Sequence, residues 1–177
     1  MRLYEIIRAA GGGASVEELA TQAGVGRDRA EGALRTLLPA LGRAIQRAGE
    51  RPTGAATIHA AMQDERYARY LEHPAALREA HAAADGERVL EEILDPGQRD
   101  QLVRNAAAAI QADEASVRRL LPLIAALALG ALGQELRQDS PEIPWFGTRP
   151  DDQFGAPLLN ALAALFEQAD EDSTERR

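Results

Sequence analysis

The chain has no cysteine, no lysine and only three histidines, and aromatic residues make up just 4% of it. The first absence removes disulfides, thiolate metal ligands and cysteine nucleophiles together. The second leaves arginine as the only strong cation. With 28 acidic residues against 20 arginines the formal net charge is -8, a balance that opposes broad contact with nucleic acid or anionic lipid. The all-arginine usage reflects genome composition more than chemistry. A Gly-x-Ser-x-Gly elbow, a Walker-type loop and a dinucleotide glycine pattern are also missing, and Gly11-Gly12-Gly13 follows a helical stretch with no lysine for phosphate. The carboxylate pairs Glu17-Glu18 and Glu91-Glu92 are adjacent, so on a helix they diverge instead of converging on one bond. No catalytic residue, metal ligand or cofactor site is therefore assigned, and the protein is expected not to be an enzyme. The opening stretch MRLYEIIRAAGGG places Glu5 and Arg8 inside its short apolar run, unlike a signal peptide, so a cytoplasmic location is expected.

What the chain has in quantity is leucine and alanine, the stuff of an aliphatic core at helix-forming density. At 177 residues and 45% hydrophobic content it is long enough for one full core. The centre is expected in RRLLPLIAALALGALGQEL, from Arg118 to Leu136, where Leu120 to Gly133 carries no charge. A segment of this kind is wrapped by protein on nearly all sides. It falls short of the ~20 apolar residues of a bilayer span, so no membrane span is expected. The predicted fold class is all-α: a multihelical single domain over residues 1–169, in two related helical units around a buried, proline-bent central helix.

Taken in order, Leu3, Ile6, Ile7 and Ala10 recur at helical spacing and stop at Gly11-Gly12-Gly13. Ser15 with Glu18 reads as a capping box that opens a short second helix to about Ala23. After the turn Gly24-Val25-Gly26, a third helix runs from about Arg27 to Arg47 and bends near Pro39. This is unit one, about 1–49. An inserted pair, about 52–84 and divided by Pro74, looks peripheral and ends at Asp85-Gly86. Unit two, about 86–138, begins with Val89, Leu90, Ile93 and Leu94, turns at Asp95-Pro96-Gly97, and continues with Leu102, Val103, Ala106, Ala107 and Ile110. Asp113 is placed to cap the central helix. Beyond it, Trp145 is expected to cover one end of the core, Pro157 to open a last helix over 157–169 with Leu158, Leu159, Leu162, Leu165 and Phe166 on its buried side, and 170–177 to be a disordered tail.

Leu37-Leu38-Pro39-Ala40-Leu41 and Leu120-Leu121-Pro122-Leu123-Ile124 repeat one pattern 83 residues apart. Each follows an Ala-rich helix and a polar break, which is the basis for expecting an internal repeat. The run GERVLEEILDPGQRDQLVRNAAAAIQADEASVRRLLPLIAALALGAL, from Gly86 to Leu132, resembles the second half of the YidB-like bacterial family of unknown function, and LATQAGVGRDRAEGALRTLLPAL resembles that family's N-terminal segment. Where the family has a glycine-rich connector, this chain has the helical insertion. The resemblance covers roughly two-thirds of the chain and implies a multihelical soluble fold. It carries no catalytic residues, since none are established for the family.

Two readings of function follow. In the first, the surplus of Leu and Ala marks a protein-interaction module, acting on an unknown protein partner or by self-association. In the alternative, Leu19 to Leu34 is a helix-turn-helix, because a small residue followed four positions later by Gly and then an apolar residue lets two helices cross tightly. Arg27, Arg29 and Arg35 would then reach phosphates or base edges. Asp28 and Glu31 on the same helix oppose this, and nucleic acid is the less favoured partner. His59, His73 and His81 lack the i, i+4 spacing of a helical zinc pair and read as surface residues. Asp151-Asp152 lacks the alternating ligands of a calcium loop.

Overall fold

An uncharged run fourteen residues long needs cover, and helices from all along the described residues supply it. In the computed structural model, which describes residues 2–139, every residue from Leu120 to Gly133 is buried. These residues form the middle of α8 (Glu114–Asp139). Around it lie α1 (Arg2–Ala9), α2 (Ala14–Ala23), α3 (Arg27–Gly49), α4 (Pro52–Gln63), α5 (Glu65–Glu72), α6 (Ala80–Ile93) and α7 (Pro96–Ile110). Among the described residues there is no strand, and the fold is all-α, as the composition requires. The core is one cluster dominated by leucine, alanine and isoleucine. Burying each leucine contributes about 1.5–3 kcal/mol.

Local chemistry explains most of the helix ends. Gly11, Gly12 and Gly13 all take positive φ, the left-handed region in which a side chain is strained, so α1 stops there. Asp95 accepts from the Gln98 backbone N–H at 2.8 Å while the Gln98 side chain accepts from the Asp95 N–H, and Pro96 fills the first helical position of α7. Asp113 caps α8 through the Ser116 N–H at 2.7 Å and the Ser116 hydroxyl at 2.8 Å. Pro39 and Pro122 both sit inside helices that continue past them.

The connection between α2 and α3 and that between α7 and α8 have the same geometry. Gly24 (φ 69°) and Gln111 (φ 51°) each turn left-handed. The next residue then donates back across the turn, Val25 to the Ala20 carbonyl and Ala112 to the Ala107 carbonyl, both at 3.0 Å. Gly24 and Gln111 are 87 residues apart, four more than the two Leu-Leu-Pro motifs, so matching the turns leaves the prolines one helical turn out of step.

Four expectations need correction. The helix read as ending at Asp85-Gly86 instead runs unbroken over Ala80–Ile93, so the boundary at 84–86 falls inside α6. Both residues are buried there, and a buried helix segment tolerates Gly where an exposed loop would also have used it. The helices of 52–84 are not peripheral. α5 and α6 pack along α8, burying Tyr67, Tyr70 and Leu71. Small residues allow it: a Cβ built on Gly86 would lie 1.8 Å from the Pro122 carbonyl oxygen, and one on Gly130 would lie 2.3 Å from that of Tyr67. Ser15 does not cap α2. It lies inside the helix, buried, donating to the Ala10 carbonyl, while Glu18 pairs with Arg78. Finally, α8 is 26 residues long and is long and apolar enough to cross a membrane by length and composition. The argument from length therefore fails, and what distinguishes the helix is that 83% of its most apolar window is buried inside the domain. The expectations for Trp145, Asp151-Asp152, the helix from Pro157 and the tail lie outside the described residues.

Candidate functional site

The three arginines of the helix-turn-helix reading sit on the first half of α3, and α2 determines what surrounds them. All three are exposed. Arg27 donates to Glu17 on α2. Arg35 donates to Glu31 at 3.1 Å, and its guanidinium lies 5.2 Å from the centre of the Tyr4 ring. The Tyr4 hydroxyl in turn donates to Glu31, a bond that holds the Glu31 carboxyl below its usual range, while burial pushes the Tyr4 hydroxyl up. Two of the three cations are thus already matched by carboxylates of their own domain, and α1 is latched across α3 by Tyr4. Arg29 has no carboxylate partner among the described residues, and Asp28 precedes it. The outer face of the turn therefore carries mixed charge, and the sequence does place these residues together.

A second cluster was not visible in the sequence. Asp85 on α6 has a side chain only 2% exposed. Its Oδ2 accepts from the Tyr70 hydroxyl at 2.7 Å, and its Oδ1 accepts from Arg66 at 3.1 Å with Arg88 at 3.6 Å. The Tyr67 hydroxyl donates to the Asp85 backbone carbonyl at 3.3 Å, and the Tyr67 and Tyr70 rings meet edge to face. Arg66 also grips Asp64, the cap of α5, which lowers the Asp64 carboxyl. Burial, then the Asp85 hydrogen bond, pushes the Tyr70 hydroxyl above its ordinary value. Both carboxylate oxygens of Asp85 accept hydrogen bonds from α5, so the cluster ties α5 to α6. The signal that could have revealed it is the Tyr67 and Tyr70 spacing beside a lone acid in an alanine-rich run.

The histidines do not converge: His59 is on α4, His73 precedes the turn Pro74–Arg78, and His81 is on α6 beside Glu79. A shallow groove lies where α1 and α5 meet the far end of α8, lined by Ile6, Ala9, Ala10, Gly11, Leu71, Glu72 and Gln134.

These features define a class: an all-helical domain built around one enclosed helix, with a mixed-charge face on α2 and α3. The chain belongs to the family described as bacterial protein of unknown function (DUF937), whose model matches residues 5–135. No curated protein and no solved structure matches it.

Proposed function

We propose that this bacterial protein works through contact with another protein instead of catalysing a reaction, and that the outer face of α2 and α3 is the contact surface. The observation that carries this reading is the pairing of Arg27 with Glu17 and of Arg35 with Glu31. A polyanion gains its affinity from cations it can neutralise, and here most of the available charge is already neutralised within the domain. Alternating acid and base is instead what a protein surface of complementary pattern recognises. A cytoplasmic setting and an α8 that stays within the domain belong to the same reading. So does the division into two related units with proline-bent helices, which the matching turns at Gly24 and Gln111 support.

The helix-turn-helix geometry keeps DNA as the competing reading, because Arg27, Arg29 and Arg35 are all exposed on the helix a groove would receive. Duplex DNA titrated at low and moderate salt separates the two. Contact with protein predicts no salt-dependent gel shift. A shift lost on Arg27→Ala with Arg29→Ala would install the DNA reading. In cells of the parent bacterium, the charge-swapped pair Asp28→Arg with Arg29→Asp, on an exposed face, is expected to lose the cross-linked complexes that the unaltered chain forms. Unchanged complexes would remove this face as the contact.

A further inference from the structure

The turns at Gly24 and Gln111 share more than their backbone. The two helix pairs that they join pack against each other reciprocally, α3 on α7 and α8 on α2. A Cβ built on Gly32 of α3 would lie 3.1 Å from Ile110 Cγ2, at the end of α7. Arg119 of α8, 87 residues after Gly32, donates at 2.9 Å to the carbonyl of Ala23, which lies 87 residues before Ile110. When a contact and its exchanged counterpart both form, the two pairs face each other about a local two-fold axis. Residues 87 apart therefore hold matching places on two outer faces, one on α2 and α3, the other on α7 and α8.

At three of these matching places the charges are opposite. Glu17, Arg27 and Glu31 stand on the first face where Arg104, Glu114 and Arg118 stand on the second. All are exposed except Glu31, which is partly covered. We propose that the α2–α3 face of one copy docks on the α7–α8 face of a second copy. This rests on the reading of the α2–α3 face as a protein contact, and it names the partner. With Arg27 opposite Glu114 of the second copy, the flanking charges are acid on one face and base on the other, whichever way the faces are turned. Two copies of the same face would instead set like charges together, which selects the unlike pairing. The ion pairs that Arg27 makes with Glu17 and Arg118 makes with Asp100 join exposed side chains, so they exchange readily for contacts across an interface. Each copy carries both faces, and the contact is head-to-tail.

The test uses the full chain and charge reversal at the central pair. In light scattering at about 50 mM salt, the mass is expected to rise above that of one copy as concentration increases, and to return to one copy at about 1 M salt, where screening acts within about 3 Å. Arg27→Glu and Glu114→Arg are each expected to weaken association about tenfold, and the chain carrying both to regain it, because the pair is restored with its signs exchanged. That recovery separates a lost contact from a damaged fold. A chain that keeps the mass of one copy throughout, or an association unmoved by either reversal or not regained in the double variant, would overturn the proposal. If it falls while Asp28→Arg with Arg29→Asp still loses the cross-linked complexes in cells, the α2–α3 face contacts a different protein and the broader reading stands. If those complexes are unchanged as well, both fall.

Discussion

At the scale of single residues, Gly86 is the most tightly hemmed of the described glycines. Its Cα sits over the Pro122 carbonyl, and the clash of an added methyl is with backbone, which cannot rotate away. Gly86→Ala is expected to cost about 3 kcal/mol or more, read as a lowered urea midpoint with unchanged slope. A loss below about 1 kcal/mol would mean that α6 and α8 can separate without penalty. The buried Glu18 gives a pH-dependent counterpart. The hydrogen bond from Arg78 lowers its carboxyl from 4.5, with burial working against it. A lowered folded-state value means stability that is present above the unfolded value and is lost as pH falls through the lower one. The native chain should therefore lose more stability than Glu18→Gln as pH drops below about 4.5, in urea midpoints taken across the acid range. Parallel curves would show that the pair contributes no such linkage.

At the scale of elements, the two helix connections differ in one residue type at the same strained position. Gly24 suits a φ of 69°, whereas Gln111 holds a φ of 51° with a side chain attached. Gln111→Gly should relieve about 1 kcal/mol of strain and raise the thermal midpoint, and Gly24→Ala should cost a similar amount. Leu127, fully buried in α8, is expected to cost about 3 kcal/mol on truncation to Ala.

The elements also show what a sequence can and cannot reveal. The uncharged row from Leu120 to Gly133 announced an enclosed helix, and the glycine run, the turn at Asp95-Pro96-Gly97 and the Asp113 cap announced helix ends, because each of these signals is local. Asp85-Gly86 misled because the same dipeptide serves an exposed turn and a tight helix crossing, and only the distant Pro122 decides between them. Ser15 misled for a similar reason, since Arg78, 60 residues beyond Glu18, takes the carboxylate that a capping box would need. The candidate face was legible to the extent of naming Arg27, Arg29 and Arg35. That Arg35 leans on Tyr4 was not, because α1 and α3 meet only in the fold.

At the scale of the whole molecule, α8 touches helices from both halves of the domain, and α3 also packs against α7, α4 and α6, so one core is shared throughout. Unfolding should follow one transition, with far-ultraviolet and near-ultraviolet circular dichroism giving the same midpoint. Separated midpoints would divide the domain into two cooperative parts.

The position of that helix in the chain also bears on how the protein is made. Residues Arg2 to Ile110 emerge first, and their leucines face a partner that has not yet been synthesised. A nascent chain halted before Glu114 should therefore remain open to proteases and to chaperones, and one extended past Asp139 and clear of the ribosome should close at once. Placing the central element last among the described helices makes late completion of the core, not stepwise growth during synthesis, the route to the native state.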